Sequence, residues 1–329
     1  MGASGAAKER NVSLGGKSAA ATLGYRGLSD FFQVNGQPSV PVHAAGRGPV
    51  PLRAAAALER PASCPHAGRV PAFIDSHSHL DAAEFDADRG AVLARARAAG
   101  VARQVVPAVT AAGWPALRAL CAAEPGIHAA YGLHPVYLAR HRPQDLEDLP
   151  AWIASAKPCA VGECGLDHYE PGLDPLAQAR YFERQLELAR EAGLPVIVHA
   201  RRAVDPVIAA LRRVGGVRGV VHSYGGSEEQ ARQLYRLGFS LGIGGPVTHA
   251  RATRLRALVA RMPIEHLLLE TDAPDQPPAA HRGERNEPAL LPGIAAEIAA
   301  LRGIGVEELA AATSRNACEL FRLPQGTAA

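Results

Sequence analysis

The chain has 329 residues, 47% of them hydrophobic and 20% charged, a mix that can bury a sizeable core and excludes both a mini-protein and a charge-rich disordered chain. The formal net charge of +3 gives no whole-molecule case for clamping long stretches of nucleic-acid backbone, so any such contact must be local. The five cysteines, Cys64, Cys121, Cys159, Cys164 and Cys318, are odd in number, dispersed and never spaced C-x-x-C, which argues against a disulfide framework or a thiolate zinc site. There is no apolar run long enough for a membrane span, and the opening MGASGAAKERNVSLGGKSAA lacks the apolar stretch of a secretory signal. The expected location is the reducing cytoplasm.

Residues 1–70 read as a low-complexity, disordered leader rather than a folded domain. Gly, Ala, Pro and Ser dominate, no strand or helix period is sustained, and eight Lys/Arg stand against three Asp/Glu. An organelle transit peptide has that acid-poor composition, but so does a disordered tail or a misassigned start, and no amphipathic helix singles out the first. Residues 325–329 read as a short tail.

From residue 71 to 324 short β-branched runs alternate with amphipathic stretches, the pattern of βα units feeding a parallel sheet. The predicted strands, in order, are AFIDSH, ARQVVPAV, IHAAYGLHP, CAVGECGLD, LPVIVHA, VRGVVHSY, FSLGIGG and HLLLETDAP. Helix-period stretches follow the first seven, from FDADRGAVLARARAAG to THARATRLRALVARM. The eighth leads through a Pro-rich loop into EPALLPGIAAEIAALRG and VEELAAATSRNACELFRL. Eight repeats predict an α/β fold of the (β/α)₈ TIM-barrel kind. A doubly wound open sheet accounts less well for where the polar residues fall.

In such a barrel the reacting groups sit where strands end, because the βα loops converge there. The first strand ends with His77 and His79, whose spacing of two puts both imidazoles on one side of extended backbone. The fourth ends at Glu163, the fifth at His199, the sixth at His222 and the eighth at Asp272. Each alone is an ordinary polar residue. Together, unpaired burial would cost several kcal/mol per group, and metal ligation removes that cost. Four imidazoles and two carboxylates exceed what one tetrahedral ion uses, so two divalent ions (magnesium, manganese or zinc) sharing a carboxylate are expected. His134, at the end of the third strand, is placed to hydrogen-bond substrate or to orient a ligand. Arg201, Arg202, Arg282 and Arg285 are candidate phosphate contacts, and Trp114, Tyr131, Tyr137, Tyr169 and Tyr224 candidate stacking surfaces for bases.

FIDSHSHLD, GLHP, GECGLD, VIVHAR, VVHSYGG, LLLETDAP and RGERNEP, in that order, resemble the TatD family of metal-dependent deoxyribonucleases, within the amidohydrolase-like barrels. The resemblance spans about Ala72 to Leu323. It implies that His77, His79 and Asp272 hold one ion, that His199 and His222 hold the other, and that Glu163 bridges both. No lysine stands at a strand end, so a carbamylated-lysine bridge is not expected. The implied activity is hydrolysis of a phosphodiester by a two-metal-activated water, as a 3′-to-5′ exonuclease on single-stranded DNA ends. Asp272 and Glu163 are the catalytic carboxylates, Asp272 the expected proton acceptor and Glu163 committed to metal. The same cage suits hydrolysis of a small ester, lactone, amide or aminoacyl ester, because fold and ions alone do not choose between phosphoryl and acyl chemistry. A non-catalytic, metal-stabilised binding subunit would need closed coordination instead.

Overall fold

The computed structural model describes residues 72–324, so the leader and tail expected at 1–70 and 325–329 lie outside the described residues. The strands are β1 (Phe73–Asp75), β2 (Val101–Pro107), β3 (Ile127–Tyr131), β4 (Ala160–Asp167), β5 (Val196–Arg201), β6 (Gly219–Val221), β7 (Phe239–Ile243) and β8 (Leu267–Leu269). They form one parallel sheet in sequence order. Between them run α1 (Arg89–Ala98), α2 (Trp114–Ala123), α3 (Pro143–Ala156), α4 (Pro175–Ala192), α5 (Val204–Val214), α6 (Glu228–Arg236) and α7 (Thr253–Arg261). After β8 come α8 (Leu291–Arg302) and α9 (Val306–Phe321). This is the (β/α)₈ barrel that the sequence predicts.

The seam between β1 and β8 has no regular ladder. The Ser76 N–H donates to Leu269 O at 2.9 Å, and Asp75 Oδ1 and Oδ2 accept the Thr271 N–H and hydroxyl at 3.0 and 2.6 Å. Burial pushes the Asp75 carboxyl up to about 7, even though the Thr271 and His77 donors oppose it. A side chain thus completes what backbone pairing leaves open. At the opposite end, Ile74, Val105, Ile197, Val220 and Leu268 cluster with Leu320 and Phe321 of α9, which plugs the bottom of the barrel.

β1, β6 and β8 are shorter than expected because the backbone leaves strand geometry just where the functional residues begin. Arg202, Ser223, Asp272 and Gln276 all have φ between 44° and 58°, a left-handed conformation that ordinary residues adopt at a cost of order 1–3 kcal/mol. All four follow β5, β6 or β8 at the C-terminal face.

α4 shows how a helix serves this face. The Asp174 carboxylate caps it by accepting the Leu176 N–H at 2.9 Å, and Pro175 occupies its first turn. Its inward side buries Phe182, Leu186 and Ala189 at helical spacing, together with two fully buried glutamines. Gln178 bonds both the N–H and the carbonyl of Asp167, at 2.7 and 2.9 Å, and Gln185 does the same for Leu133, at 2.8 and 3.2 Å. Unpaired, each of those buried backbone groups would cost about 1–3 kcal/mol.

β4 and β5 approach closely at Gly165, which pairs with His199. Its φ is 148°, and a Cβ there would lie 2.0 Å from the His199 carbonyl oxygen. Gly165→Ala is therefore expected to destabilise the barrel by at least about 1–3 kcal/mol. Gly90→Ala, on α1 with nothing within 4 Å of its Cβ, should be neutral or stabilising by up to about 1 kcal/mol. Urea unfolding of the two variants checks the contrast.

Candidate metal centre

All six residues expected as ligands meet at the C-terminal face. Glu163 lies within β4 and His199 within β5, whereas His77, His79, His222 and Asp272 follow the last residues of β1, β6 and β8. Strand alternation carries the placement upward from the core: Ile197 and Val220 point inward one alternation below His199 and His222, and Leu268 two below Asp272.

His77 Nε2 stands 3.2 Å from His79 Nε2, 3.2 Å from Glu163 Oε2 and 3.5 Å from Asp272 Oδ1. His79 Nε2 is 3.5 Å from Glu163 Oε2 and 3.6 Å from Asp272 Oδ1. Four tetrahedral donors about 2.0–2.2 Å from a zinc-like ion are roughly 3.3–3.6 Å apart, so these separations fit a divalent cation. Glu163 Oε2 is buried with no hydrogen-bond partner among the described residues, as befits an atom left for a metal. The other oxygen faces a different set: His222 Nε2 at 2.8 Å, His199 Nδ1 at 3.1 Å and His134 Nε2 at 3.0 Å, with His199 Nδ1 and His222 Nε2 3.3 Å apart. The two oxygens of one carboxylate therefore look into two donor groups.

Burial would raise the Glu163 carboxyl, but His134, His222 and His77 hold it well below the usual carboxylate range. Burial alone would likewise discharge His79, yet Glu163 and Asp272 lift it to about 10. His199, drawn up by Asp167 and Glu163 against its own burial, stands at about 9. His77 goes the other way, to about 4, through burial and the neighbouring His222, on which its ring stacks at 3.9 Å.

Three supporting carboxylates escaped the sequence reading. Asp167 Oδ2 accepts the His199 Nε2–H at 2.8 Å, which leaves Nδ1 facing Glu163. Its Oδ1 accepts the N–H groups of Tyr169 and Glu170 at 2.8 Å each; against burial, His199 first and then these two donors hold the carboxyl at about 2. The signal was present in GECGLD, where Glu163 and Asp167 share strand parity. Glu270 and Asp75 lie two residues before Asp272 and His77, one alternation deeper. Burial pushes Glu270 well above the ordinary range; it accepts the Ser223 N–H at 2.5 Å and lies 3.9 Å from His222 Nδ1. Gly242 makes that position possible, since a Cβ there would sit 1.9 Å from Glu270 Oε2. Gln276 donates to Asp272 Oδ2 and accepts the Ser223 hydroxyl at 2.8 Å, fixing the Asp272 carboxylate.

The expected substrate contacts separate. Arg201 and Arg202 place their guanidiniums 3.7 and 4.6 Å from the Tyr169 ring centre, and Arg282 is exposed beyond β8. Arg285, by contrast, forks onto Asp88 at 2.8 and 2.7 Å, donates to Glu84 O at 2.6 Å and covers Phe85. It braces the loop after β8 against the start of α1. Three expected stacking surfaces are corrected outright: Trp114 at the start of α2, Tyr131 at the end of β3 and Tyr224 in the loop after β6 are core residues, at most 4% exposed, packed into the barrel–helix layer. Tyr137 and Tyr169 remain partly exposed.

Two expectations follow. Asp167→Asn should weaken metal binding roughly 10- to 100-fold, since the ring of His199 loses its orienting acceptor, and titration of metal-free protein with zinc measures it. Because protons on His79 and His199 bind more tightly than in free histidine, an entering ion must displace both. Loading near pH 8 should release about two protons, and affinity should fall as pH drops below about 10 and more steeply below about 9. Indicator-dye titration in weak buffer counts those protons.

The family model described as TatD related DNase matches residues 74–322. The metal-dependent hydrolase YjjV of Escherichia coli K12 is 39% identical over 257 residues, covering 77% of this chain and 98% of its own. The solved structure of that TatD homologue superposes with a TM-score of 0.75, at 38% identity, over 78% of this chain and 100% of that one. A relative from Erwinia billingiae, named a 3′-5′ ssDNA/RNA exonuclease, is 35% identical over 262 residues, 77% of this chain and 100% of its own. With the match running from the first strand through the last helix, and the donor cluster lying within it, the chain belongs to the TatD family of metal-dependent hydrolases.

Proposed function

We propose that this hydrolase cleaves phosphodiester bonds at the 3′ ends of single-stranded DNA, with two divalent ions shared by Glu163. The observation that carries the reading is the division of the Glu163 oxygens, Oε2 toward His77, His79 and Asp272 and Oε1 toward His199 and His222. His77, His79 and Asp272 would hold one ion and His199 and His222 the other. When bound, the ions supply Lewis-acid polarisation of the scissile group and acidify the attacking water. The residues do the rest. Asp272, its Oδ2 held by Gln276, accepts the proton released by that water, while Glu163, turned toward both donor groups, is unsuited to that task. Arg201 and Arg202, gathered on Tyr169, offer guanidinium forks to phosphate oxygens. Arg282 adds a third cation from the loop after β8. The relatives named for action on single-stranded DNA and RNA support the substrate class. The free thiols among the described residues, Cys121, Cys159, Cys164 and Cys318, accord with a reducing cytoplasm.

A second reading has its own support. Asp275 lies near His79, Glu84 and Arg201, and burial together with Asp272 lifts it to about 7. Acidic groups on that side of the mouth suit a small ester better than a long polyanion.

A 5′-labelled oligonucleotide incubated with Mg²⁺ or Mn²⁺ decides between them. The expected result is stepwise shortening from the 3′ end, faster for the single strand than for the same strand annealed. Glu163→Gln should abolish trimming and reduce metal content while leaving the circular dichroism of the barrel unchanged. Intact DNA alongside turnover of a small-ester panel establishes the second reading, and faster trimming of the duplex removes the single-strand preference.

A further inference from the structure

His134 occupies an ambiguous place. Its Nε2 lies close enough to Glu163 and His199 for the three to form a possible metal-binding group, yet no ion assigned above uses it. The hydrogen bonds around the ring resolve the ambiguity. The Val136 N–H donates to His134 Nδ1 at 3.1 Å. A backbone N–H can only donate, so Nδ1 must present its lone pair, and the single ring proton then resides on Nε2. A nitrogen that carries a proton cannot ligate.

The opposite holds for the neighbouring ring. His199 keeps its Nε2–H on Asp167, so Nδ1, 3.1 Å from Glu163 Oε1, is the nitrogen that gives up its proton to an entering ion. Two imidazoles with edge-to-face contact at 4.6 Å thus reach the same carboxylate oxygen, one through a nitrogen that keeps its proton and the other through one that can be freed for metal. His134 is also held rigidly. Its N–H donates to Val109 O at 3.0 Å, its carbonyl accepts from His141 Nε2 at 2.8 Å, and the preceding Leu133 is gripped at both backbone groups by Gln185. The residue is 7% exposed.

We infer that His134 is a fixed Nε2–H donor to a phosphoryl oxygen of the substrate beside Glu163, and is not a metal ligand. The inference rests on the phosphodiesterase reading for its substrate class, but not on DNA being the substrate. In this structure the Nε2–H faces Glu163 Oε1 at 3.0 Å; with that carboxylate engaged by metal, a donor fixed at this place can serve a substrate oxygen beside it, and removing a pre-oriented oxyanion donor costs about 10²–10³ in kcat.

The test uses metal-loaded full-length protein, His134→Ala and His134→Gln, orthophosphate and bis-para-nitrophenyl phosphate. Both variants should keep the wild-type metal content. Orthophosphate should bind roughly tenfold more weakly to His134→Ala by calorimetry, and kcat on the diester should fall about 10²–10³-fold. His134→Gln should recover part of both, because its amide N–H reaches the position of Nε2. A long-range proton–nitrogen correlation spectrum should show the His134 ring protonated at Nε2 alone. Loss of a metal equivalent in His134→Ala, an unprotonated Nε2, or unchanged orthophosphate affinity would each overturn the inference. Weakened orthophosphate binding in a protein that leaves DNA intact sinks the exonuclease reading and leaves the donor role standing.

Discussion

A carboxylate taken wholly out of water keeps its charge only if positive or hydrogen-donating groups come to it, and the upper face of this barrel is organised around that requirement at Glu163. Nitrogens of His77, His134, His199 and His222 stand within 3.2 Å of its oxygens, with His79 just beyond at 3.5 Å. Without a cation the imidazoles must supply that charge themselves, which is why His79 and His199 hold protons so firmly. A metal ion takes over the same role, so ion and proton are alternatives at one position. The electrostatics that keep Glu163 ionised are also those that prepare the cluster for metal.

Around that carboxylate the scaffold spends hydrogen bonds on orientation. Asp167 fixes one ring, Gln276 fixes the Asp272 carboxylate, and the Val136 N–H fixes the proton on another ring. α4 contributes from outside the barrel, where Gln178 and Gln185 on an otherwise apolar face clamp the backbone at Asp167 and just before His134. Left-handed residues after β5, β6 and β8 belong to the same design, since regular strand geometry would carry the chain past the mouth rather than around it. Below this layer, Asp75 and Glu270 extend the polar set one alternation into the barrel, at the seam where backbone pairing between β1 and β8 fails.

Much of this was legible before any coordinates. Eight apolar runs separated by amphipathic stretches specify a parallel barrel, because each run is too apolar to face water and each helix needs one face covered. The six residues gathered at the rim were equally readable as candidates, since five of the eight apolar runs close on them and a parallel barrel sends all strand ends to one rim. The supporting residues were harder. Asp167 shares strand parity with Glu163 but looks like loop punctuation in GLDHYE, and Gln178 and Gln185 look like ordinary helix-surface residues in PLAQARYFERQLEL. The aromatics misled for a related reason: Trp114, Tyr131 and Tyr224 are polar enough at one atom to suit a binding surface, and only packing shows that their rings are core.

The amino-acid sequence alone determines the order of elements, the end of the barrel at which chemistry is possible, and the residue types that collect there, because periodicity and strand direction are local properties of the chain. The tertiary structure alone decides which oxygen of Glu163 meets which imidazole, that Arg285 turns to Asp88 and away from the mouth, and which nitrogen of His134 bears the proton. The first two depend on contacts between segments tens to hundreds of residues apart, and the third on how the chain turns just after β3 to aim the Val136 N–H back at the ring; no spacing along the chain encodes those distances and angles.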